Sequence, residues 1–252
     1  MVEDEFGGKV KEPIMWVENH PQGHPHHVKS FNPHDHEETE NNISTTGLCY
    51  NTVKQDIWLA GVGAVGDWTM PSFMEDFSKQ YPDLLPDANI SPPEALFDAP
   101  MSKIVLIFSM IMKGDTNITK KCIKALTKIK DPYEILNETS EEGKFIMRKI
   151  NPIISEYELL LNKALKEKPD GKVIKFLYDT DKYSFSKEIS NHLQHKNPDK
   201  TIIVGRKKGE EYKLSLRSQN TVISTLVEKA LSGVEGYGGG HEHACGACIK
   251  KE

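Results

Sequence analysis

The segment that most restricts how this 252-residue chain can fold is Gly238-Gly239-Gly240-His241, followed by Glu242-His243-Ala244-Cys245-Gly246-Ala247. Three consecutive glycines carry no Cβ, so the backbone there can approach another surface closely. A histidine follows at once, and the small residues after it keep the approach open. Main-chain N–H groups together with one imidazole suit an anionic group. The pattern predicts a glycine loop between a helix over Thr221–Leu231 and a last strand over Ala244–Ile249.

Upstream of that loop the periodicity continues as strand, helix, strand, strand. Lys172–Tyr178 alternates as a strand, and Ser184 opens a helix to His195. Thr201–Arg206 and Glu211–Arg217 flank Lys207-Lys208-Gly209 as a hairpin. Pro169-Asp170-Gly171 is a turn-forming tripeptide after a lysine-rich helix end, and it marks the clearest boundary in the chain. Before it, residues 113–170 read as a helical connector. Ile118, Cys122, Ile123, Leu126 and Ile129 recur at helical spacing over Asp115–Lys130. A second helix over Glu141–Lys168 contains Pro152, expected to kink or divide it.

Residues 1–112 mix short apolar strands with helices. Ile14-Met15-Trp16-Val17 is a short strand ended by Pro21. Ser44 or Thr45 caps a helix through Tyr50 and Val53. Ile57–Gly66 is a small-residue apolar segment ending at Asp67, an aspartate placed either to cap the next helix or to bind a metal. Ile104–Met112 is a buried helix or strand. It is the longest apolar run and is half the length of a membrane span. The three regions, 1–112, 113–170 and 171–252, make an α/β protein.

Charge is distributed unevenly. Residues 1–170 hold 18 Lys and Arg against 27 Asp and Glu, whereas residues 171–252 hold 14 against 10. A polyanionic partner is therefore expected on the C-terminal third, where Arg206, Lys207, Lys208, Lys213 and Arg217 cluster in sequence. The acidic N-terminus lacks the layout of a secretion signal. Four cysteines without a disulfide framework fit a reducing, cytoplasmic setting.

Two features of the C-terminal third together resemble a known family. Tyr212-Lys213-Leu214-Ser215-Leu216-Arg217-Ser218 is similar to an S-x-R-S strand, and the glycine motif is similar to GGGHxxAxG. In this order they resemble the DHHA1 domain of DHH-family phosphoesterases, which include the RecJ-like single-strand exonucleases. The resemblance implies a compact mixed α/β domain that holds substrate phosphate through Ser215, Arg217, Gly238, Gly239, Gly240 and His241. The planar fork of an arginine, always charged, suits that role. His241, His243, Cys245 and Cys248 also offer zinc ligands. A single C-x-x-C without a second pair is weak evidence for zinc, and the cysteines fall where the family places small residues entering a strand.

The N-terminal region resembles the second half of a DHH domain, a parallel sheet with flanking helices. The strand Ile14–Val17 is followed by Glu18-Asn19-His20-Pro21, similar to Asp-His-His-Pro. Asn32-Pro33, Ser44-Thr45-Thr46-Gly47 and Gly61-Val62-Gly63-Ala64-Val65-Gly66-Asp67 follow in the family's order. The resemblance implies a two-metal site holding Mn²⁺, or Mg²⁺ in its place, with Asp67 as a metal ligand and His20 on the reacting phosphate. The site is incomplete in this sequence. Glu18 and Asn19 replace the family's Asp and first His, and no Asp-x-Asp motif precedes the strand. The expectation is an N-terminally incomplete chain, a split product completed by a second chain, or a member that has lost catalysis. Six histidines between His20 and His36 read as a polar loop, with His26-His27 as substitute metal ligands the alternative. Function is expected to be hydrolysis of phosphodiester bonds in single-stranded nucleic acid or short oligonucleotides. Two alternatives stay open: a non-catalytic nucleic-acid-binding or replisome scaffold, and a small-nucleotide phosphatase.

Overall fold

The computed structural model describes residues 15–17, 29–31, 44–180 and 182–250. His20, Glu18, Asn19, Asn32-Pro33 and the histidines from His24 to His36 lie outside them. The chain separates into two compact units. One is Met1–Leu106 with Lys130–Pro132, and the other is Ile107–Ile129 with Tyr133–Glu252.

In the first unit, β1 (Met15–Val17) and β2 (Lys29–Phe31) pair in parallel. Among the described residues four helices follow: α1 (Thr45–Val53), α2 (Ile57–Gly66), α3 (Met74–Gln80) and α4 (Pro92–Phe97). The Ser44 hydroxyl accepts from the Gly47 N–H, so Ser44 is the α1 cap that the sequence pointed to. α2 buries Trp58, Ala60, Gly61, Val62, Ala64 and Val65, which between them face most directions around the axis. A helix that is apolar nearly all round is a core helix. The Ser91 hydroxyl and the Glu94 carboxylate cap the start of α4 reciprocally.

Helix α5 (Ser102–Ile111) is the apolar run read as a helix or strand, and the division between the units falls within it. The second unit continues with α6 (Thr116–Leu126), α7 (Tyr133–Leu136) and α8 (Glu141–Ala164). The Asp115 carboxylate caps α6 and the Ser140 hydroxyl caps α8. Pro152 does not divide α8, which runs through it. Pro152 itself is exposed, and the buried Ile150 and Ile153 anchor the helix on either side of it.

A five-stranded sheet completes this unit in the order β3-β4-β5-β7-β6. Its strands are β3 (Val173–Asp179), β4 (Thr201–Lys208), β5 (Glu211–Arg217), β6 (Gly236–His241) and β7 (Ala244–Lys250). β3 and β4 are parallel and are joined through α9 (Ser186–Lys196), while the remaining pairs are antiparallel. The glycine motif is thus a strand rather than a loop. Its partner β7 is close enough in sequence for a hairpin, and the pairing satisfies backbone groups that a glycine loop would leave to water. α10 (Ile223–Leu231) lies between β5 and β6 in sequence.

The two sheet-covering helices take opposite faces. α10 buries Ile223 and Val227 against Cys245, with Leu216 and Ala247 beside them. α9 meets the other face, where the Ser190 hydroxyl bonds the Ser215 hydroxyl at 2.9 Å. Side chains alternate along a strand, so Ser215 and Arg217 point toward α9 while Leu216 points toward α10.

Candidate ligand-binding face

Register across the sheet assembles the sequence-predicted residues. Arg217 pairs with Ala244, and Ala244 pairs with His241. Directly opposed residues share a face, so Arg217, Ala244 and His241 form one row on the α9 side. The next row is Ser215, Gly246 and Gly239. β6 is the edge strand, and every residue from Gly236 to His241 is exposed. The floor between Arg217 and His241 is therefore open sheet carrying no side chain larger than alanine.

The glycines divide by role. A Cβ on Gly240 would overlap the Ala244 carbonyl oxygen, and its φ of +146° lies where side chains are strained. A Cβ on Gly238 would come within 2.8 Å of the Gly246 carbonyl oxygen and 3.0 Å of Leu231 on the α10 side. Both positions require glycine for the fold itself. Gly239 does not, because a Cβ there would meet nothing within 4 Å.

Arg217 is held in detail. Its Nε donates to Asn191 Oδ1 at 2.7 Å, and Nη1 donates to the carbonyls of Leu216 at 2.7 Å and Cys245 at 3.4 Å. Every acceptor is neutral. Burial pulls its pKa below the ordinary arginine value, with Cys245 and then Glu188 acting the other way.

The turn that presents His241 is fixed by the segment after β5. Ser218 N–H donates to the His243 carbonyl at 3.2 Å, and Ile223 N–H donates to the Glu242 carbonyl at 2.7 Å. The His243 ring also contacts the Thr221 carbonyl at 3.3 Å. Ser215 is buried and its hydroxyl is engaged with Ser190, so it faces the site as support for α9.

The zinc alternative fails on geometry. Cys245 and Cys248 lie three residues apart on one strand and so face opposite sides of the sheet. Among the described residues no group of three or more His, Cys, Asp or Glu side chains is placed to hold a metal ion.

Asp67 is the exposed residue ending α2, and its N–H caps the last carbonyls of that helix. It does not cap α3, whose N-cap position is Phe73. A carboxylate at the negative end of a helix is electrostatically disfavoured unless a cation accompanies it. Among the described residues it belongs to no group of three or more potential ligands, so they do not by themselves make the two-metal site.

Residues 170–252 match the model of the DHHA1 domain. The C-terminal third of the chain is a DHHA1 domain. Solved structures with this fold include RecJ in complex with Mn²⁺ from Thermus thermophilus. It has a TM-score of 0.56 and 13% identity, over 100% of this chain and 40% of that one. A pGpG-specific phosphodiesterase, PggH, from Vibrio cholerae aligns with a TM-score of 0.50 and 13% identity, over 98% of this chain and 82% of that one. No curated protein matches the chain by sequence. The chain spans less than half the length of that RecJ. No described helix is long and apolar enough to cross a membrane.

Sequence reasoning missed Asn191. It lies 26 residues from Arg217, on a helix whose apolar spacing identifies Ile189 and Leu193 but not which polar residue reaches the sheet. It also missed Gly246, which shares the row of Gly239.

Proposed function

We propose that this DHHA1-containing chain is a DHH-family phosphoesterase acting on single-stranded nucleic acid or short oligonucleotides. A strand phosphate sits on the sheet between Arg217 and His241, over Gly239 and Gly246. The observation that carries this reading is a half-buried guanidinium with only neutral acceptors, beside a floor where glycine is not required by the fold. A charge desolvated without a counter-charge is costly, and an anionic ligand offsets that cost. Gly239 admits the ligand to the backbone, and Arg217 and His241 fix its orientation. Gly238 and Gly240 shape the strand that carries it.

Divalent metal would supply an activated water in this superfamily. Asp67 is the one candidate ligand among the described residues, and they do not fit a complete metal pair. The remaining ligands are proposed to come from elsewhere, from a second chain carrying the missing motifs or from residues near His20. His20 is proposed to contact the reacting phosphate.

The test is anisotropy of a labelled single-stranded oligonucleotide across a salt series, followed by hydrolysis assays with Mn²⁺. Binding should weaken with salt, with a log–log slope of about −0.7 per phosphate neutralised. Turnover should appear with Mn²⁺ once the missing ligands are provided. Salt-sensitive binding without turnover under any condition would favour the scaffold alternative. Absence of salt-sensitive binding would overturn both readings.

A further inference from the structure

We infer that Asn191 positions Arg217 without neutralising it and that Lys113 holds Glu188 away from it, leaving the charge of Arg217 for a bound phosphate. The inference rests on the proposed phosphate-binding role of Arg217 and adds the means by which the fold preserves it.

Besides burial and the Cys245 thiol on β7, two side chains of α9 bear on the charge of Arg217. The first is Asn191, whose amide oxygen accepts from Nε at 2.7 Å. Aspartate is nearly the same size as asparagine and would make a stronger, charge-assisted bond at that place. It would also cancel the charge. A neutral acceptor holds the fork without consuming it.

The second is Glu188. It lies one helical turn before Asn191 on α9, on the same side, and it acts electrostatically on Arg217. It is therefore the carboxylate that could neutralise the arginine. Instead Glu188 Oε1 binds Lys113 Nζ at 2.7 Å, and both side chains are mostly shielded from solvent. Its second oxygen, Oε2, is buried without a hydrogen-bond partner. A buried carboxylate left short of one donor turns readily toward another cation when its first is removed. Lys113 occupies Glu188, and Arg217 stays unpaired.

The experiment measures binding of a fluorescein-labelled oligothymidylate of about twelve nucleotides to the full chain over a salt series. Asn191→Asp should lower affinity on the order of tenfold and make the salt slope shallower by about 0.7. Asn191→Ala should lower affinity less and leave the slope at the wild-type value, because the charge remains. Lys113→Met should behave like Asn191→Asp, and adding Glu188→Gln to it should restore the slope. That rescue separates charge competition from misfolding, and thermal melts accompany each variant. If Arg217→Ala weakens binding while Asn191→Asp binds with the wild-type slope, the inference is overturned and the phosphate site stands. If Arg217→Ala binds like wild type, the site reading falls and the inference falls with it.

Discussion

Arg217 and His241 share one register partner, Ala244, and so stand in a single row two strands apart on the same face of the sheet. Strand spacing sets their backbones about 10 Å apart. That gap is wide enough for a phosphate and part of its sugar, and no bulky side chain of β7 fills it. Residues separated by 23 intervening positions are thus brought to one face of the sheet through pairing alone.

The arginine should not tolerate the conservative change. Lysine keeps the charge but cannot present a fork, and it loses the Nε contact to Asn191. Arg217→Lys is expected to cost on the order of tenfold in oligonucleotide affinity with the salt slope preserved. Arg217→Ala is expected to lose both. Anisotropy titrations at several salt concentrations distinguish the two.

Neighbouring glycines should respond differently. Gly240→Ala places a Cβ against the Ala244 carbonyl at a positive φ, so urea unfolding should show a loss of about 1–3 kcal/mol. Gly239→Ala meets only open space and should stay within about 0.5 kcal/mol of wild type.

Close packing between α7 and α8 depends on Gly143. A Cβ there would overlap the Glu134 carbonyl oxygen. Gly143→Ala should lower stability by about 1–3 kcal/mol, read from the denaturant midpoint, because backbone has to move to accept it.

Thiol chemistry should report burial. Cys49 is exposed, whereas Cys122, Cys245 and Cys248 are buried. Burial pushes the Cys122 and Cys245 thiols above the ordinary value, so less thiolate is present at a given pH. Alkylation near pH 8 should modify Cys49 on the order of tenfold or more faster than these two. Arg217 opposes the shift at Cys245, so Arg217→Ala should slow that thiol further.

Much of the fold was legible because its signals are local. The Ser44 cap, the helix beginning at Asp115 and the alternation over β3 each follow from a few adjacent residues. The glycine motif misled on conformation, since its sequence fits a loop and only pairing with β7 makes it a strand. Pro152 misled on continuity, since buried neighbours on both sides hold α8 together. At the site, Arg217 and His241 were legible as types suited to phosphate. Asn191, Lys113 and Glu188 were not, because their roles arise from contacts between distant elements. No periodicity in the sequence encodes those contacts.

The most direct test is Gly239→Val. Valine favours strands, and the position has no neighbour within 4 Å to obstruct its first atom. The account predicts an unchanged melting temperature together with loss of single-stranded oligonucleotide affinity of more than about tenfold, since the side chain would stand where the phosphate lies. A Gly239→Val protein that melts like wild type and binds the oligonucleotide equally well would contradict it.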